Sequence, residues 1–532
     1  MTSSRWYISS TLPYVNARPH LGFALELVQA DVLARQHRLA GDQVRFQTGT
    51  DDNSLKSVLA ASAEGSTVGQ FVGRNSRAFA GLRGPLGLSA DDFIATSSDP
   101  RHRPGVERLW RACARSGDLY TRPYQGRYCV GCEQFYKPAE LPGGRCPEHG
   151  TVPELVTERN WFFRLSRYAS QLEDVISSGR LRIEPAARRN EVLGFIRAGL
   201  EDFSASRSTG RARGWGIPVP GDPSQVIYVW WDALSNYITA PGYGTDEAGY
   251  QHWWARAGHR VHLAGKGVLR FHAVYWPAIL LSAGEPLPTC VLVHDYLTAG
   301  GQKISKSGAG ASLAADPVAL ARDYGTDAVR WWLLREVPRT GDADFTVARL
   351  VARANEDLAN GLGNLVSRVV SLVCRYRDGQ VPAAPPARGG PGGQLVPDAA
   401  LALAAACAQA GPAKAEALAA GDFRAAAGAV WAIVEQANRY AEQARPWELA
   451  RAQRAGVAGA GQSLDTVLSA LVRACRVLGG ELAPFVPGLA AAVSAACDDR
   501  DGALGPARPL FPRLSEPAGQ GGPGAEHYSV VR

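Results

Sequence analysis

The chain has 532 residues, nine cysteines and a formal net charge of +7, which allows roughly three domains and excludes a small disulfide-stapled scaffold. The mild positive charge permits a nucleic-acid partner without requiring one. No apolar run reaches the roughly 18 residues of a membrane span, and the N-terminus lacks a secretory signal. We therefore expect a cytoplasmic protein with no membrane partner.

The first predicted element is a short apolar strand, residues 6–8, which leads through a Pro/Asn turn into an amphipathic helix. A strand followed by a turn and a helix aims backbone N–H groups at one point, which suits a phosphate. His20 would place an imidazole donor beside that anion, and Gly22 would let a nucleotide approach. The alternative at this point is the ordinary start of a helix.

A second predicted strand, residues 43–47, ends in a polar cluster at residues 48–54. Open parallel sheets bind ligands at the carboxyl ends of their strands, where the carboxylate of Asp51 could neutralise an ammonium group. Asp, Asn and Ser are also the preferred residues for capping a helix, so capping is the alternative. Residues 55–118 are predicted as helices joined by short turns.

Residues 119–165 contain two pairs of metal-ligand residues. The pairs are Cys129 with Cys132 and Cys146 with His149, each with two residues between its members. This spacing is typical of a tetrahedral zinc site with three Cys and one His ligand. Because four protein ligands leave no open coordination position, the predicted zinc is structural and not catalytic.

Three further apolar stretches predict strands at residues 226–231, 261–267 and 289–294, and helix is predicted from residue 186. Trp230, Ala233 and Tyr237 would share one face across the end of the first of these strands and the helix after it, which predicts an aromatic-walled pocket. Val268 and His272 are four residues apart and lie on one face of the next predicted helix. Plain core packing is the alternative for the aromatic residues.

The alternation of strands and helices, interrupted by a zinc-bearing insertion, predicts an α/β fold with a split Rossmann-type parallel sheet. Lys303 and Lys306 then lie on a loop flanked by glycines. Two lysines on such a loop could close over a polyphosphate, whereas a merely solvated charged loop is the alternative. Beyond Thr346, apolar residues recur at helical spacing and predict an all-α helical bundle.

Two motifs carry a resemblance to a known family. Residues 19–22 (Pro-His-Leu-Gly) and 303–307 (Lys-Ile-Ser-Lys-Ser), in this order, resemble the two signature motifs of class I aminoacyl-tRNA synthetases. Within that class the chain resembles the methionine-specific branch over nearly its whole length. The other matching stretches are residues 12–14, 48–51, the zinc-ligand pairs, 228–233, 271–277, 357–365 and 445–447.

The resemblance implies an order of domains. They are a Rossmann catalytic domain in two halves (1–115 and 226–298), a connective insertion with the zinc site (116–225), a stem-contact region with the lysine loop (299–350), a helical anticodon-binding bundle (351–512) and a flexible tail (513–532). Nothing after the bundle resembles the appended dimerisation domain of some relatives. We therefore expect a monomer.

The resemblance also implies site residues. ATP binding falls to Pro19, His20, Gly22, Phe23, Gly265, Lys303 and Lys306, of which His20, Lys303 and Lys306 are the catalytic residues. Binding of methionine or a related amino acid falls to Leu12, Tyr14, Asp51, Trp230, Ala233, Leu234, Tyr237, Val268 and His272. Recognition of the anticodon, most simply that of tRNA(Met), falls to Asn364, Arg368 and Trp447.

The implied reaction needs no enzyme nucleophile. The carboxylate of the amino acid attacks the α-phosphorus of ATP, pyrophosphate leaves, and the catalytic residues stabilise the charge that spreads onto phosphate oxygens. Mg²⁺ would bridge the leaving phosphates, and the zinc would serve the fold. A terminal ribose hydroxyl of the tRNA then takes the aminoacyl group from the adenylate.

The chain departs from the family pattern at four places around this site. Phe23 stands where a second His is usual, and residues 50–54 read Thr-Asp-Asp-Asn-Ser in place of Thr-Asp-Glu-His-Gly. Gly267 replaces an Asp expected near the ribose of the nucleotide, and Asp295 replaces a Gly. Because Phe cannot donate to phosphate, the change at residue 23 removes a hydrogen bond worth about 1.5–3 kcal/mol.

These departures leave two other functions open. One is a paralogue that passes the activated amino acid to a small-molecule or peptide amine as an amide ligase, and the other is a weakly active tRNA-binding or regulatory protein. Retention of the anticodon residues favours a tRNA partner over a free amine. Retention of His20 and both lysines favours an active enzyme over a binding module.

Overall fold

The computed structural model describes residues 4–131, 134–304, 316–383, 398–499 and 502–515. These residues form two compact units. The first unit takes its residues from 1–319, 337–343 and 415–426, and the second takes its residues from 320–336, 344–414 and 427–532. Within the described residues, no helix combines the length and the apolar character needed to cross a membrane.

The first unit begins with strands and helices in alternation. They are β1 (Arg5–Ser9), α1 (Leu21–Leu39), β2 (Gln43–Thr50), α2 (Leu55–Glu64), α3 (Val68–Ala80), β3 (Asp92–Ala95) and α4 (His102–Arg115). The predicted polar cluster overlaps the end of β2, and the hydroxyl of Ser54 caps α2 by accepting a hydrogen bond from the N–H of Ser57. The capping alternative therefore holds at Ser54 itself.

The middle of the chain is mostly short antiparallel strands. The elements are β4 (Leu119–Cys129), β5 (Gln134–Tyr136), β6 (Glu154–Phe163), α5 (Ala169–Ser177), β7 (Arg182–Glu184), α6 (Ala186–Arg197), β8 (Phe203–Ser204), β9 (Ser206–Ser208), β10 (Pro218–Val219) and β11 (Asp222–Ile227). Strands β5, β4, β6 and β8 form one sheet in this order, and β10, β11 and β9 form another.

The chain then returns to alternating elements: α7 (Val229–Thr239), α8 (Glu247–Tyr250), β12 (His259–Gly265), α9 (Trp276–Ala283), β13 (Cys290–His294), β14 (Leu297–Ala299) and β15 (Gln302–Lys303). The central sheet has the order β3-β2-β1-β12-β13-β7, and every pair in it is parallel. The predicted α/β fold with a split parallel sheet is thereby confirmed. Two short strands of this sheet were not predicted. β3 lies within residues 55–118, which were predicted as helices with turns, and it has only three apolar residues in a row, whereas β7 reads Arg-Ile-Glu.

One predicted strand is wrong. Residues 226–231 do not form a strand of the central sheet: β11 ends at Ile227 in a small antiparallel sheet, and α7 begins at Val229. The segment reads as a strand because α7 is buried on nearly all sides and is therefore apolar throughout its first turn. Trp231 packs edge-on against Trp110 and Phe163 in the core.

The remaining elements are almost all helical. They are α10 (Pro317–Tyr324), α11 (Thr326–Arg335), the short strand β16 (Ala343–Asp344), α12 (Val347–Arg353), a wide turn of helix at Ala354–Gly363, α13 (Asn364–Arg377), α14 (Asp398–Ala419), α15 (Phe423–Ala444), α16 (Pro446–Arg454), α17 (Ala460–Glu481) and α18 (Pro487–Ala496). In the second unit, the buried guanidinium of Arg330 donates to the backbone carbonyls of Phe485 and Pro484. The predicted helical bundle is confirmed.

Candidate active site

A cavity of about 360 Å³ opens at the carboxyl ends of β1, β12 and β13, beside the N-terminus of α1. Ligands bind at this edge in open parallel sheets. His149, a predicted zinc ligand, lines the cavity. So do seven of the residues predicted for the nucleotide or the amino acid: Tyr14, His20, Gly22, Phe23, Trp230, Gly265 and Val268. The structure thus brings residues predicted for the nucleotide and residues predicted for the amino acid into one space.

His20 occupies the N-cap position of α1. Its carbonyl accepts hydrogen bonds from the N–H groups of Phe23 and Ala24 at 3.0 and 3.2 Å. A Cβ at Gly22 would lie 3.1 Å from two atoms of the His20 ring, so any larger residue there would push the imidazole aside. Pro19, which precedes His20, is buried and does not line the cavity.

Glu26, in α1, holds two other parts of the cavity wall. One carboxylate oxygen accepts from the N–H and the hydroxyl of Thr11 at 2.5 and 2.6 Å, and the other lies 3.0 Å from Nε2 of His294. Nδ1 of His294 lies 2.9 Å from the carbonyl of Asp295. Because both partners of the ring are acceptors, both nitrogens donate, and the imidazole carries a positive charge.

The pKa of His294 follows from these contacts. Burial alone would lower the pKa of the ring, but the hydrogen bond to Glu26 and the charge of that carboxylate outweigh burial, so the pKa is raised above its ordinary value. Neither Glu26 nor His294 was predicted as a site residue. A carboxylate within the apolar first turns of α1 was the available signal for Glu26.

The aromatic wall of the cavity is built from α7 and the helical turn at Phe271–Tyr275. The Trp230 ring stacks on Phe271 with centroids 3.7 Å apart, and Tyr14 approaches Trp230 edge-on at 6.1 Å. Ala233 and Leu234 are buried behind this wall and do not line the cavity. Such a wall suits a flexible apolar side chain.

Tyr237 and His272 lie next to each other behind the wall. The Tyr237 hydroxyl is 2.7 Å from Nε2 of His272, and Nδ1 of His272 lies 2.9 Å from the carbonyl of Val268. The carbonyl can only accept, so Nδ1 carries the proton and Nε2 accepts from the tyrosine. Burial lowers the pKa of His272 and keeps this ring neutral.

Asp51 and Leu12 flank the turn after β1. Asp51 is buried, and its N–H donates to the carbonyl of Pro13 at 3.0 Å. Leu12 is half-buried, and neither residue lines the cavity. The neighbouring Asp52 is also buried. Burial raises the pKa of its carboxyl to about 6, although hydrogen bonds from Ser97 act to lower it.

Each of the four departures has a partner in the structure. Phe23 packs edge-on against Phe79 with centroids 5.4 Å apart. The amide of Asn53 donates to Asp232 at 2.7 Å. Asp295 forms an ion pair with Arg188 and accepts from the N–H of Gly341 at 2.6 Å. Gly267 faces the hydroxyl of Tyr296.

The described zinc-ligand residues lie close together: Cys129 ends β4, and Cys146 and His149 lie in the loop between β5 and β6. The ligand atoms of Cys129, Cys146 and His149 all lie within 4.8 Å of one another, and Cys132 lies outside the described residues. Both described cysteines are buried and His149 is exposed. Soft thiolates and an imidazole gathered at this spacing fit Zn²⁺.

The structure places the lysine loop only in part. The backbone of Lys303 belongs to β15 and pairs with Thr298, and Lys306 lies outside the described residues. The adjacent Ile304 is buried and lines the cavity.

The predicted anticodon residues lie on two helices of the second unit. Asn364 begins α13 and is exposed, and Arg368 lies one turn later and donates to the side chain of Asn438 at 2.6 Å. Nε of Arg368 is buried and has no hydrogen-bond partner among the described residues. Trp447, in α16, is 37% exposed, which leaves a large aromatic face available for stacking.

Comparisons with known proteins agree on one family. The family model for class I tRNA synthetases (M) matches residues 6–151 and 132–370. A methionine–tRNA ligase of Brucella suis is 40% identical over 92% of this chain and 90% of its own length, and one of Rhizobium meliloti is 38% identical over 97% and 99%. The structure of Mycobacterium tuberculosis methionyl-tRNA synthetase in complex with methionyl-adenylate aligns with a TM-score of 0.87 and 35% identity, covering 96% of this chain and all of that one.

Proposed function

The chain belongs to the class I tRNA synthetases of the methionine type, and on that premise we propose that it activates methionine with ATP and transfers the methionyl group to the 3′ end of tRNA(Met). The observation that carries the proposal is the single cavity in which His20 and Gly22, at the start of α1, face the aromatic wall of Tyr14 and Trp230. A nucleotide and an apolar amino acid can meet there.

In the proposed first step, a carboxylate oxygen of methionine forms a bond to the α-phosphorus of ATP, and the bond from that phosphorus to pyrophosphate breaks. His20, Lys303 and Lys306 neutralise the charge on the phosphate oxygens. Mg²⁺, held mainly by the phosphates, would neutralise the leaving pyrophosphate. In the second step, a hydroxyl of the terminal tRNA ribose attacks the methionyl carbonyl, and AMP leaves.

Each substrate would contact its own set of the remaining residues. ATP would also contact Pro19, Gly22, Phe23 and Gly265, and methionine would contact Leu12, Tyr14, Asp51, Trp230, Ala233, Leu234, Tyr237, Val268 and His272. Asn364, Arg368 and Trp447 would read the anticodon. The ligand set of Cys129, Cys132, Cys146 and His149 would hold a structural Zn²⁺, and the proposal includes a cytoplasmic monomer.

The decisive experiment is amino-acid-dependent exchange of pyrophosphate into ATP, followed by charging of purified tRNAs. We expect exchange with methionine and charging of tRNA(Met). Exchange without charging of any tRNA would support the amide-ligase alternative, and silence with all amino acids would support a binding protein. The comparisons favour neither alternative, because the relatives of high coverage are methionine–tRNA ligases.

A further inference from the structure

The glycine at residue 267 leaves room for a tyrosine hydroxyl in the cavity. Gly267 follows the end of β12, and a Cβ built on it would lie 2.1 Å from the hydroxyl oxygen of Tyr296. That distance is far below a van der Waals contact, so the hydroxyl and a side chain at residue 267 exclude each other. The Tyr296 hydroxyl can therefore lie where it does only because Gly267 has no side chain.

Tyr296 is held from several directions. Its N–H donates to a carboxylate oxygen of Asp342 at 2.9 Å, and the ammonium of Lys266 lies 4.6 Å from the centre of its ring. Lys266 also donates to Asp342 at 2.6 Å, which ties the cation to the same anchor. A carboxylate oxygen of Glu148 lies 3.8 Å from the Cβ position of Gly267. A phenol donor and a carboxylate acceptor thus converge on one part of the cavity, which both residues line.

The location of this pair indicates which part of a ligand it would meet. β12 lies next to β1 in the sheet and β13 lies next to β12, and the helix that follows β1 begins at the predicted phosphate site. In doubly wound folds, the ribose of a nucleotide whose phosphates lie at such a helix start reaches the end of a neighbouring strand, where an oxygen-bearing side chain binds its hydroxyls. Gly267 and Tyr296 lie just beyond the ends of β12 and β13.

We propose that the hydroxyl of Tyr296 binds a ribose hydroxyl of ATP, in the space that Gly267 leaves open. This inference rests on the proposed function for the identity of the nucleotide. It makes Tyr296 a nucleotide-binding residue that discriminates ATP from deoxynucleotides.

Calorimetric titration tests the proposal, because ATP affinity can be measured whether or not methionine is activated. ATP, 2′-deoxy-ATP and 3′-deoxy-ATP are titrated into the wild-type protein and into Tyr296→Phe. We expect the wild type to bind ATP about three- to tenfold more tightly than at least one deoxy analogue, as for one lost neutral hydrogen bond. In Tyr296→Phe we expect that preference to disappear. Failure of pyrophosphate exchange would overturn the proposed function but leave this comparison intact.

Two further variants keep the test decisive. Gly267→Ala approaches the same hydroxyl from the opposite side and should abolish the same preference, even if Tyr296→Phe does not fold. Tyr120→Phe removes a hydroxyl that donates to Asp202 outside the cavity, and it should retain the wild-type preference. A wild type without preference for ATP, or a preference retained in Tyr296→Phe or in a folded Gly267→Ala, would overturn the proposal.

Discussion

His294, at the end of β13, donates from Nε2 to the carboxylate of Glu26 in α1 at 3.0 Å. The second ring nitrogen donates to the carbonyl of Asp295, so a charged imidazolium forms part of the cavity wall. Because the carboxylate of Glu26 balances this charge, the pair adds no net charge to the cavity wall. The same contact joins a strand and a helix that are far apart in the sequence.

The first prediction concerns stability and pH. Because the pKa of His294 is raised above the ordinary value of 6.5, the folded state binds its proton more tightly than the unfolded state does. Its contribution to the free energy of unfolding is complete below about pH 6.5 and is lost as the pH rises through the folded-state pKa. We expect the stability advantage of the wild type over His294→Gln to shrink from pH 6 to pH 9 in urea unfolding.

The control for this prediction is His252→Gln, which changes an exposed histidine outside the cavity. Its stability difference from the wild type should stay constant over the same pH range. An advantage of the wild type over His294→Gln that grows with pH would contradict a charged His294.

The second prediction concerns methionine. In Tyr237→Phe, the buried Nε2 of His272 loses the hydroxyl that lies 2.7 Å away, and an unsatisfied buried acceptor costs about 1–3 kcal/mol. Because this pair packs behind the aromatic wall, we expect the KM for methionine to rise in pyrophosphate exchange while the KM for ATP stays unchanged. Tyr243→Phe alters a buried tyrosine that packs on Tyr250 outside the cavity, and it should leave both values unchanged. An equal rise in both would contradict a role in the methionine pocket.

The sequence predicts the parts of this molecule whose signals are local. The stretches predicted as strands at residues 6–8, 43–47, 261–267 and 289–294 each coincide, wholly or for most of their length, with a strand of the central sheet. β7 has only three residues, Arg-Ile-Glu, and it joins the sheet because β13 offers an edge. No local pattern could reveal that.

The candidate site shows the same division. His20 and Gly22 stand out because a strand, a turn and a helix follow one another within about 20 residues. The ion pair of Glu26 with His294 joins residues 268 positions apart in the sequence, so no local pattern could predict it. Likewise, the space for the Tyr296 hydroxyl depends on the missing side chain of Gly267, which is distant in the sequence.

The third prediction concerns zinc. Cys146→Ser removes one of the gathered ligands, and loss of a ligand from a structural site also removes folding energy. We expect the zinc content measured by atomic absorption to fall from one per chain to near zero and the thermal unfolding temperature to fall with it. Cys374→Ser changes a cysteine outside the cluster and should keep the metal. Full zinc content in Cys146→Ser would contradict this ligand set.

The fourth prediction concerns tRNA. The guanidinium of Arg368, on α13, donates to the side chain of Asn438, while its Nε is buried and has no hydrogen-bond partner among the described residues. Arg368→Ala should raise the KM for tRNA in charging while leaving pyrophosphate exchange unchanged, because exchange does not involve tRNA. Arg375→Ala removes the same charge from an exposed position on the same helix. If both variants weaken charging equally, the effect is general charge and not recognition by Arg368.

The fifth prediction concerns Phe23, which lines the cavity and packs edge-on against Phe79. A histidine at this position would add a donor facing the phosphates, but its smaller and more polar ring would weaken an aromatic contact worth about 0.5–1.5 kcal/mol. We therefore expect Phe23→His to increase the rate of pyrophosphate exchange about tenfold, as one charge-assisted hydrogen bond allows, and to lower the thermal unfolding temperature.

Phe23→Leu separates these two effects, because it also weakens the packing on Phe79 and adds no donor. It should be destabilised as Phe23→His is, without any gain in exchange rate. If Phe23→His is no faster than Phe23→Leu, the phosphates lie beyond reach of a side chain at residue 23. The pairing of Phe23 with Phe79 would then be an adaptation of the core, and the charge on the phosphates would be met by His20 and the lysines alone.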